Sequence, residues 1–162
     1  MSERLQRPLS RRIQARLMSI LNIPVRALLK LPFSTPLSNR LMLLFYTGRK
    51  SGRAYQQPVS FVQQDNTLLT PGGGNWKWNL RDGEPVRIRL RGRDALACPE
   101  LIKDPDEIER LLGVMVAVNP TVYAFVGVPK GPDGRLDRER LETAIQYGFR
   151  IVRWHLEEEI VK

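Results

Sequence analysis

The chain has 162 residues, 42% hydrophobic and 27% charged, a composition that excludes a disordered or collagen-like polymer and suits one well-buried core rather than two. Its single cysteine, Cys98, rules out an intrachain disulfide and a cysteine-based zinc site and fits a reducing cytoplasm. The net charge of +9 is unevenly spread: residues 1–53 hold eleven Lys or Arg against one acid, Glu3, while the rest of the chain holds fifteen bases and sixteen acids. An anionic partner is therefore expected to meet the first third of the sequence. No run approaches the roughly 18 uninterrupted apolar residues that span a bilayer, and the N-terminus lacks the apolar core and small-residue cleavage site of a secretory signal.

In chain order, residues 9–22 place Ile13, Leu17, Ile20 and Leu21 on one side at helical spacing, with Arg11, Arg12 and Arg16 largely elsewhere. Pro24 can open a second short helix, VRALLKL, that Pro32 closes. Packing on the domain is the plainer reading of both helices; the functional one is a foot on an anionic membrane surface through residues 9–31. Strand character begins with RLMLLFYT, apolar throughout as expected of a strand buried on both faces, and ends at a turn rich in glycine and cations. AYQQPVSFVQQ and TLLTP continue the strands, Gly72, Gly73 and Gly74 free the backbone, NWKWNL reads as a helical turn, and RDGEP connects. PVRIRLRGR alternates Val86, Ile88 and Leu90 with arginines, the period of a strand with one wet face, and DALACPELI pairs back through the Gly92 turn. Residues 104–118 begin with acids suited to a helix N-terminus and carry Ile108, Leu111, Leu112 and Met115 at helical spacing. NPTVYAFVGVPKGPDG reads as a lid or added strand, DRERLETAIQYGF as a helix turning Leu141, Ala144, Ile145 and Tyr147 inward, and RIVRWHL as a last strand. This order predicts an α+β fold around a small antiparallel barrel, with a helical segment over 1–39 and the barrel over 40–162.

The chemistry open to these residues is narrow. The only histidine, His155, falls on the last strand and reads best as an edge-strand surface residue, so nucleophilic catalysis lacks its base. One His, one Cys and the acidic run Glu157-Glu158-Glu159 make no metal ligand set. YTGRKSGRAY is not a Walker loop, yet its physics is related: glycines expose backbone N–H groups, and Arg49, Lys50 and Ser51 bring charge and a hydroxyl suited to phosphate oxygens. Just after the glycines, Trp76 and Trp78 flank a cation; one is expected in the core and the other over a ligand.

Three segments taken in order, LMLLFYTGRKSGRAYQQPVSFV, PGGGNWKWNL and PVRIRLRGR, resemble the central part of the deazaflavin-dependent nitroreductase and quinone reductase family, split β-barrel proteins related to the flavin reductase-like barrels. The resemblance covers about residues 40–95. It implies a split-barrel fold, coenzyme F-420 (8-hydroxy-5-deazaflavin) as cofactor, and hydride transfer to a quinone, a nitroaromatic or another activated small-molecule acceptor. It maps phosphate contacts onto Arg49, Lys50 and Ser51, with Arg53 as an added cation, the family's strand proline onto Pro58, and its tryptophan and Asn-Leu pair onto Trp76, Asn79 and Leu80. The ring would lie beside Gly72 and Gly73, and NPTVYAF, with Tyr123 and Phe125, is the positional equivalent of the family's substrate pocket. This chain departs from the best-studied branch at Tyr55 and Pro71, where that branch carries cations, so FMN in place of the deazaflavin stays open. Other readings are a haem-binding barrel and a non-enzymatic nucleic-acid module, the latter disfavoured because few aromatics interleave with the arginines. A homodimer is compatible with the family, and a cytoplasmic location, peripheral to the inner membrane face on the membrane reading of residues 9–31, is expected.

Overall fold

A computed structural model describes residues 23–72, 74–120, 122 and 136–157. The expected helix over 9–22, Gly73, Tyr123, Phe125 and most of the NPTVYAF segment lie outside them. The described chain opens with a helix over 23–29 (α1), followed by a 3-10 turn at Leu37–Asn39. Strands follow at Leu41–Thr47 (β1), Ala54–Ser60 (β2), Val62–Gln64 (β3) and Thr67–Gly72 (β4). A second 3-10 turn, Asn75–Asn79, leads to Val86–Leu90 (β5) and Arg93–Ile102 (β6), then to helices Pro105–Val118 (α2) and Arg138–Gln146 (α3) and the last strand, Arg150–Leu156 (β7). Among the described residues no helix is long and apolar enough to cross a membrane.

The strands make one sheet in the order β2-β1-β5-β6-β7-β4-β3, every pair antiparallel. Its two edges are consecutive in sequence: β2 and β3 are separated only by Phe61, whose N–H bonds the Arg40 carbonyl at 3.0 Å. The run expected as one strand thus bends at Phe61, its first half pairing with β1 and its second with β4. That bend curls the sheet round on itself, so that few strand edges are left open.

The inward faces meet in one apolar cluster, in which Met42 and Leu44 of β1, Val59, Phe61, Leu68, Ile88, Ala97, Val152 and Trp154 are buried. A second cluster forms where β4, β6 and β7 turn an outer face to the helices: Leu69, Ile102 and Ile151 pack on Ile108, Leu111, Leu112 and Met115 of α2 and Leu141 of α3. The spacing read from the sequence of α2 is the spacing of its buried side chains. Asp104 caps that helix by accepting from the Glu107 N–H at 2.9 Å, and Asp137 caps α3 by accepting from the Arg140 N–H at 3.2 Å. Charges fasten the helices outside the core. Arg138 reaches Asp106, Glu109 and Glu142, and Arg153 reaches Glu100 and Glu107. With Arg110 and then Arg153 donating to it, the Glu107 carboxyl is held down at about 2.

Two expectations give way. Tyr147 is 88% exposed, because α3 ends at Gln146 and the chain turns through Gly148, so the ring falls past the packed face. His155 is exposed, yet its strand is interior rather than an edge: it lies opposite Cys98 on β6 and Thr67 on β4. The last segment of the sequence is inserted between strands formed earlier, a placement that its pattern does not encode.

Candidate functional site

The quoted turn is a hairpin tip. Tyr46 and Tyr55 fall opposite each other in the β1–β2 register and stack with ring centres 5.4 Å apart at 17°. Between them the Gly48 N–H bonds the Arg53 carbonyl and the Gly52 N–H bonds the Gly48 carbonyl, each at 2.9 Å. Gly52 has φ +67, which favours glycine. At Gly48 the constraint is space, since an added Cβ would lie 2.5 Å from Ser51 Oγ and 2.8 Å from Tyr55 Cε2. The Ser51 hydroxyl sits 3.2 Å from the Tyr55 hydroxyl and accepts from the Arg53 N–H at 3.3 Å. Lys50 Nζ and the Arg53 guanidinium make no hydrogen bond or ion pair among the described residues, so two exposed cations stand unpartnered at the tip.

The second 3-10 turn faces this tip. Trp76 stacks on the buried Trp154, with centroids 6.3 Å apart and planes 11° from parallel, whereas Trp78 is 41% exposed. One indole is thus core and one is not, as expected. Beneath them Lys77 is only 2% exposed; its Nζ donates to the Gly74 carbonyl at 2.8 Å and lies 4.6 Å from the Trp78 ring centre. Arg150 Cζ lies 5.4 Å from the same ring. Burial first, and the Arg150 charge second, hold the Lys77 ammonium below the usual lysine range. Tyr46 moves the other way: burial, then Tyr55, raises its phenol, while Arg26 on α1 opposes the shift, and the hydroxyl keeps its proton at neutral pH.

The two turns enclose a cleft of about 770 Å³, walled by Tyr46, Tyr55, Trp76 and Trp78, floored by Asn75 and Asn79, and closed at one end by Gly48, Arg49, Lys50 and Ser51. A second cleft of about 550 Å³ lies across the same partition, with Arg87, which rests 4.0 Å over Phe45, and Arg81 on its far side. Tyr46, Gly48, Arg49 and Asn79 line both.

Of the residues singled out in the sequence, Arg49, Lys50, Ser51, Trp76 and Asn79 come together on the larger cleft. Arg53 is exposed beside it, on the turn but not in the lining. Pro58 is half-buried within β2 opposite Leu43, and Gly72 is buried at the end of β4 opposite Arg150, where an added Cβ would lie 3.1 Å from the Arg150 carbonyl and Lys77 Cδ. Neither lines the cleft. Sequence reasoning missed Tyr46 and Tyr55 as its walls and left open which of Trp76 and Trp78 would be the exposed one. The signal for the tyrosines was present, because residues bracketing a hairpin turn symmetrically meet across the strands.

A family model described as F-420H(2)-dependent quinone reductase matches residues 30–127, more than half of the chain. The chain belongs to this family. The enzyme is therefore a deazaflavin-dependent reductase, and membership implies coenzyme F-420 as its cofactor. Among solved structures, an F-420-H2 dependent reductase (FDR-A) is 13% identical, with a TM-score of 0.48 and 73% of this chain and 94% of that one covered. A putative pyridoxamine 5'-phosphate oxidase from Listeria innocua is 13% identical at a TM-score of 0.47, over 85% of this chain and 94% of that one. A third, described as a domain-swapped dimer, is 12% identical at a TM-score of 0.50, over 86% and 98%, a likeness that shows the fold. The reductase is an α+β protein built on a curled seven-stranded antiparallel sheet, the split barrel that the resemblance implied. A comparison with curated proteins found no match.

The residues present fit the family's cofactor. A tricyclic ring needs flat apolar walls, which the paired tyrosines and the two indoles supply, and a phosphorylated chain needs cations without carboxylate partners, which the hairpin tip supplies.

Proposed function

We propose that the 770 Å³ cleft holds the deazaflavin, its phosphate at the tip formed by residues 48–53 and its ring between the tyrosine pair and the indoles. The observation that carries this reading is the aromatic-walled cleft ending on Lys50, with Arg53 beside it on the same turn, two cations that no acid among the described residues neutralises. When bound, the reduced cofactor would supply a hydride for transfer to the acceptor. The chain's own part is to bind, orient and keep water away. Gly48 and Gly52 let the backbone curl under the phosphate, Ser51 offers a hydroxyl, and Trp78 presents the exposed aromatic face on which a planar acceptor can stack. A quinone is the acceptor this surface suits best. Tyr46, protonated and in the lining, is placed to donate a proton to an acceptor oxygen.

The test is a fluorescence titration of the purified protein with oxidised F-420 and, in parallel, with FMN. Micromolar binding of the deazaflavin with FMN at least tenfold weaker supports the assignment; preference for FMN overturns it. Two further parts of the reading rest on separate observations. The fold-mate described as a domain-swapped dimer supports a homodimer, which light scattering would read as twice the chain mass. Exposed Ile23 and Leu28 beside Arg26 and Lys30 support a cytoplasmic enzyme that touches an anionic membrane through residues 9–31.

A further inference from the structure

The three cations of the tip are not equivalent. Arg49 is already engaged: its backbone N–H donates to Asn79 Oδ1 at 2.9 Å and its Nη1 donates to the Trp78 carbonyl at 3.2 Å. Asn79 completes the link by donating from Nδ2 to the Trp76 carbonyl at 3.2 Å. Two turns thirty residues apart in sequence, the hairpin tip and the Trp76–Trp78 turn, are therefore stitched side chain to backbone at one point. Lys50 and Arg53 make no such bond among the described residues, and they differ from Arg49 in standing outside the partition that both clefts share.

We infer that Arg49 is a positioning residue, a strap that sets where the Trp76–Trp78 wall stands relative to the anion-binding tip, while Lys50 and Arg53 carry the anion. This rests on the cofactor assignment above for its consequence in catalysis, though not for the strap itself. The planar guanidinium suits the role because it holds a carbonyl at a fixed angle while the same residue's backbone N–H holds Asn79; an ammonium keeps the charge and loses that geometry. Because the strap joins the tip to the wall, anion occupancy at Lys50 and the orientation of Trp78 are mechanically connected. The cations against Trp78 from Lys77 and Arg150 hold the indole on its other supports, so release of Arg49 frees the turn locally without unfolding the barrel.

The experiment compares Arg49→Lys, Asn79→Ala and Lys50→Ala with the wild-type chain, by acrylamide quenching of tryptophan fluorescence without cofactor and by F-420 titration. Arg49→Lys and Asn79→Ala are expected to raise the quenching slope about 1.5-fold or more, because Trp78, 41% exposed while strapped, opens further once the strap is released, and Trp78→Phe to abolish the rise. Lys50→Ala is expected to quench as the wild type. In titration the ranking reverses: Arg49→Lys stays within about threefold of wild-type affinity, and Lys50→Ala loses about tenfold or more, the loss of one charge-assisted contact. With menadione as acceptor at saturating cofactor, Arg49→Lys raises KM. An unchanged quenching slope in both Arg49→Lys and Asn79→Ala overturns the strap, as does an affinity loss in Arg49→Lys equal to that of Lys50→Ala. Failure of the wild-type chain to bind F-420 would sink the cofactor assignment instead, and the quenching comparison would still decide the strap.

Discussion

Replacing Trp154 with Phe tests how the barrel interior supports the cleft. Trp154 is fully buried, and its Nε1 donates to Thr70 Oγ1 at 3.0 Å, with Thr70 only 1% exposed. The substitution removes the donor and leaves a hydroxyl in an apolar cluster, a loss of about 1–3 kcal/mol. The smaller ring leaves a void worth about 1 kcal/mol more. We expect Trp154→Phe to lower the unfolding free energy by about 2–4 kcal/mol, read from urea denaturation followed by circular dichroism. Thr70→Val in the same background removes the stranded hydroxyl and should return about 1–3 kcal/mol. The same change weakens the stack that backs Trp76, worth about 0.5–1.5 kcal/mol, so F-420 affinity should fall severalfold in protein that is still folded. A single variant within about 1 kcal/mol of wild type, or a double variant no more stable than the single, would refute the reasoning.

Other substitutions separate fold from site. Gly48→Ala should weaken F-420 binding by about tenfold while leaving the melting temperature close to wild type, because the side chains that must move, Ser51 and Tyr55, are at the exposed tip and not in the core. Acid should act through Glu107. Its folded pKa of about 2 lies below its ordinary 4.5, so the unfolded chain takes up the proton first, and the stability it contributes is complete above 4.5 and lost as pH falls towards 2. Glu107→Gln should therefore flatten the fall of the urea midpoint across that window. Sedimentation with phosphatidylglycerol vesicles should retain the full chain at low salt and release it at 0.5 M salt, about 4 Å of screening length; equal recovery with neutral phosphatidylcholine vesicles would remove the electrostatic membrane contact.

Much of the fold was legible because its signals are local. The alternation of Val86, Ile88 and Leu90, the spacing of Ile108, Leu111, Leu112 and Met115, and the turn glycines each report a backbone period or a steric need within a few residues. What escaped is set by distant partners. Nothing near Phe61 says that β2 must leave β1 there and continue as β3 against β4; the bend exists because the sheet has to close. His155 reads as an edge residue because RIVRWHL ends the regular pattern, and only the sheet order reveals that β6 and β4 flank it. At the site the cations were visible as a cluster, but the hydrogen bonds that engage Arg49 and, among the described residues, leave Lys50 free were not. Arg49 is set apart from Lys50 by what lies across the cleft, Asn79 and the Trp78 carbonyl, and those partners stand 30 and 29 residues away in sequence.

The opening asymmetry of charge acquires a physical location in this fold. The excess belongs to residues 1–53, and of the six cations in the described part of that stretch four gather about the hairpin tip: Arg49, Lys50 and Arg53 on it, and Arg26 from α1 close enough to Tyr46 to oppose the rise of its phenol. The remaining chain, nearly neutral, consumes its charges internally, as in Arg138 and Arg153 with their carboxylates on α2, β6 and α3. Paired charges hold helices to a sheet at little net gain, whereas unpaired ones raise the local potential and wait for an anion. On the proposed placement of the cofactor, the segregation by sequence position is also one by task, the first third supplying the cations for its phosphate and the rest the scaffold that holds Trp76 and Trp78.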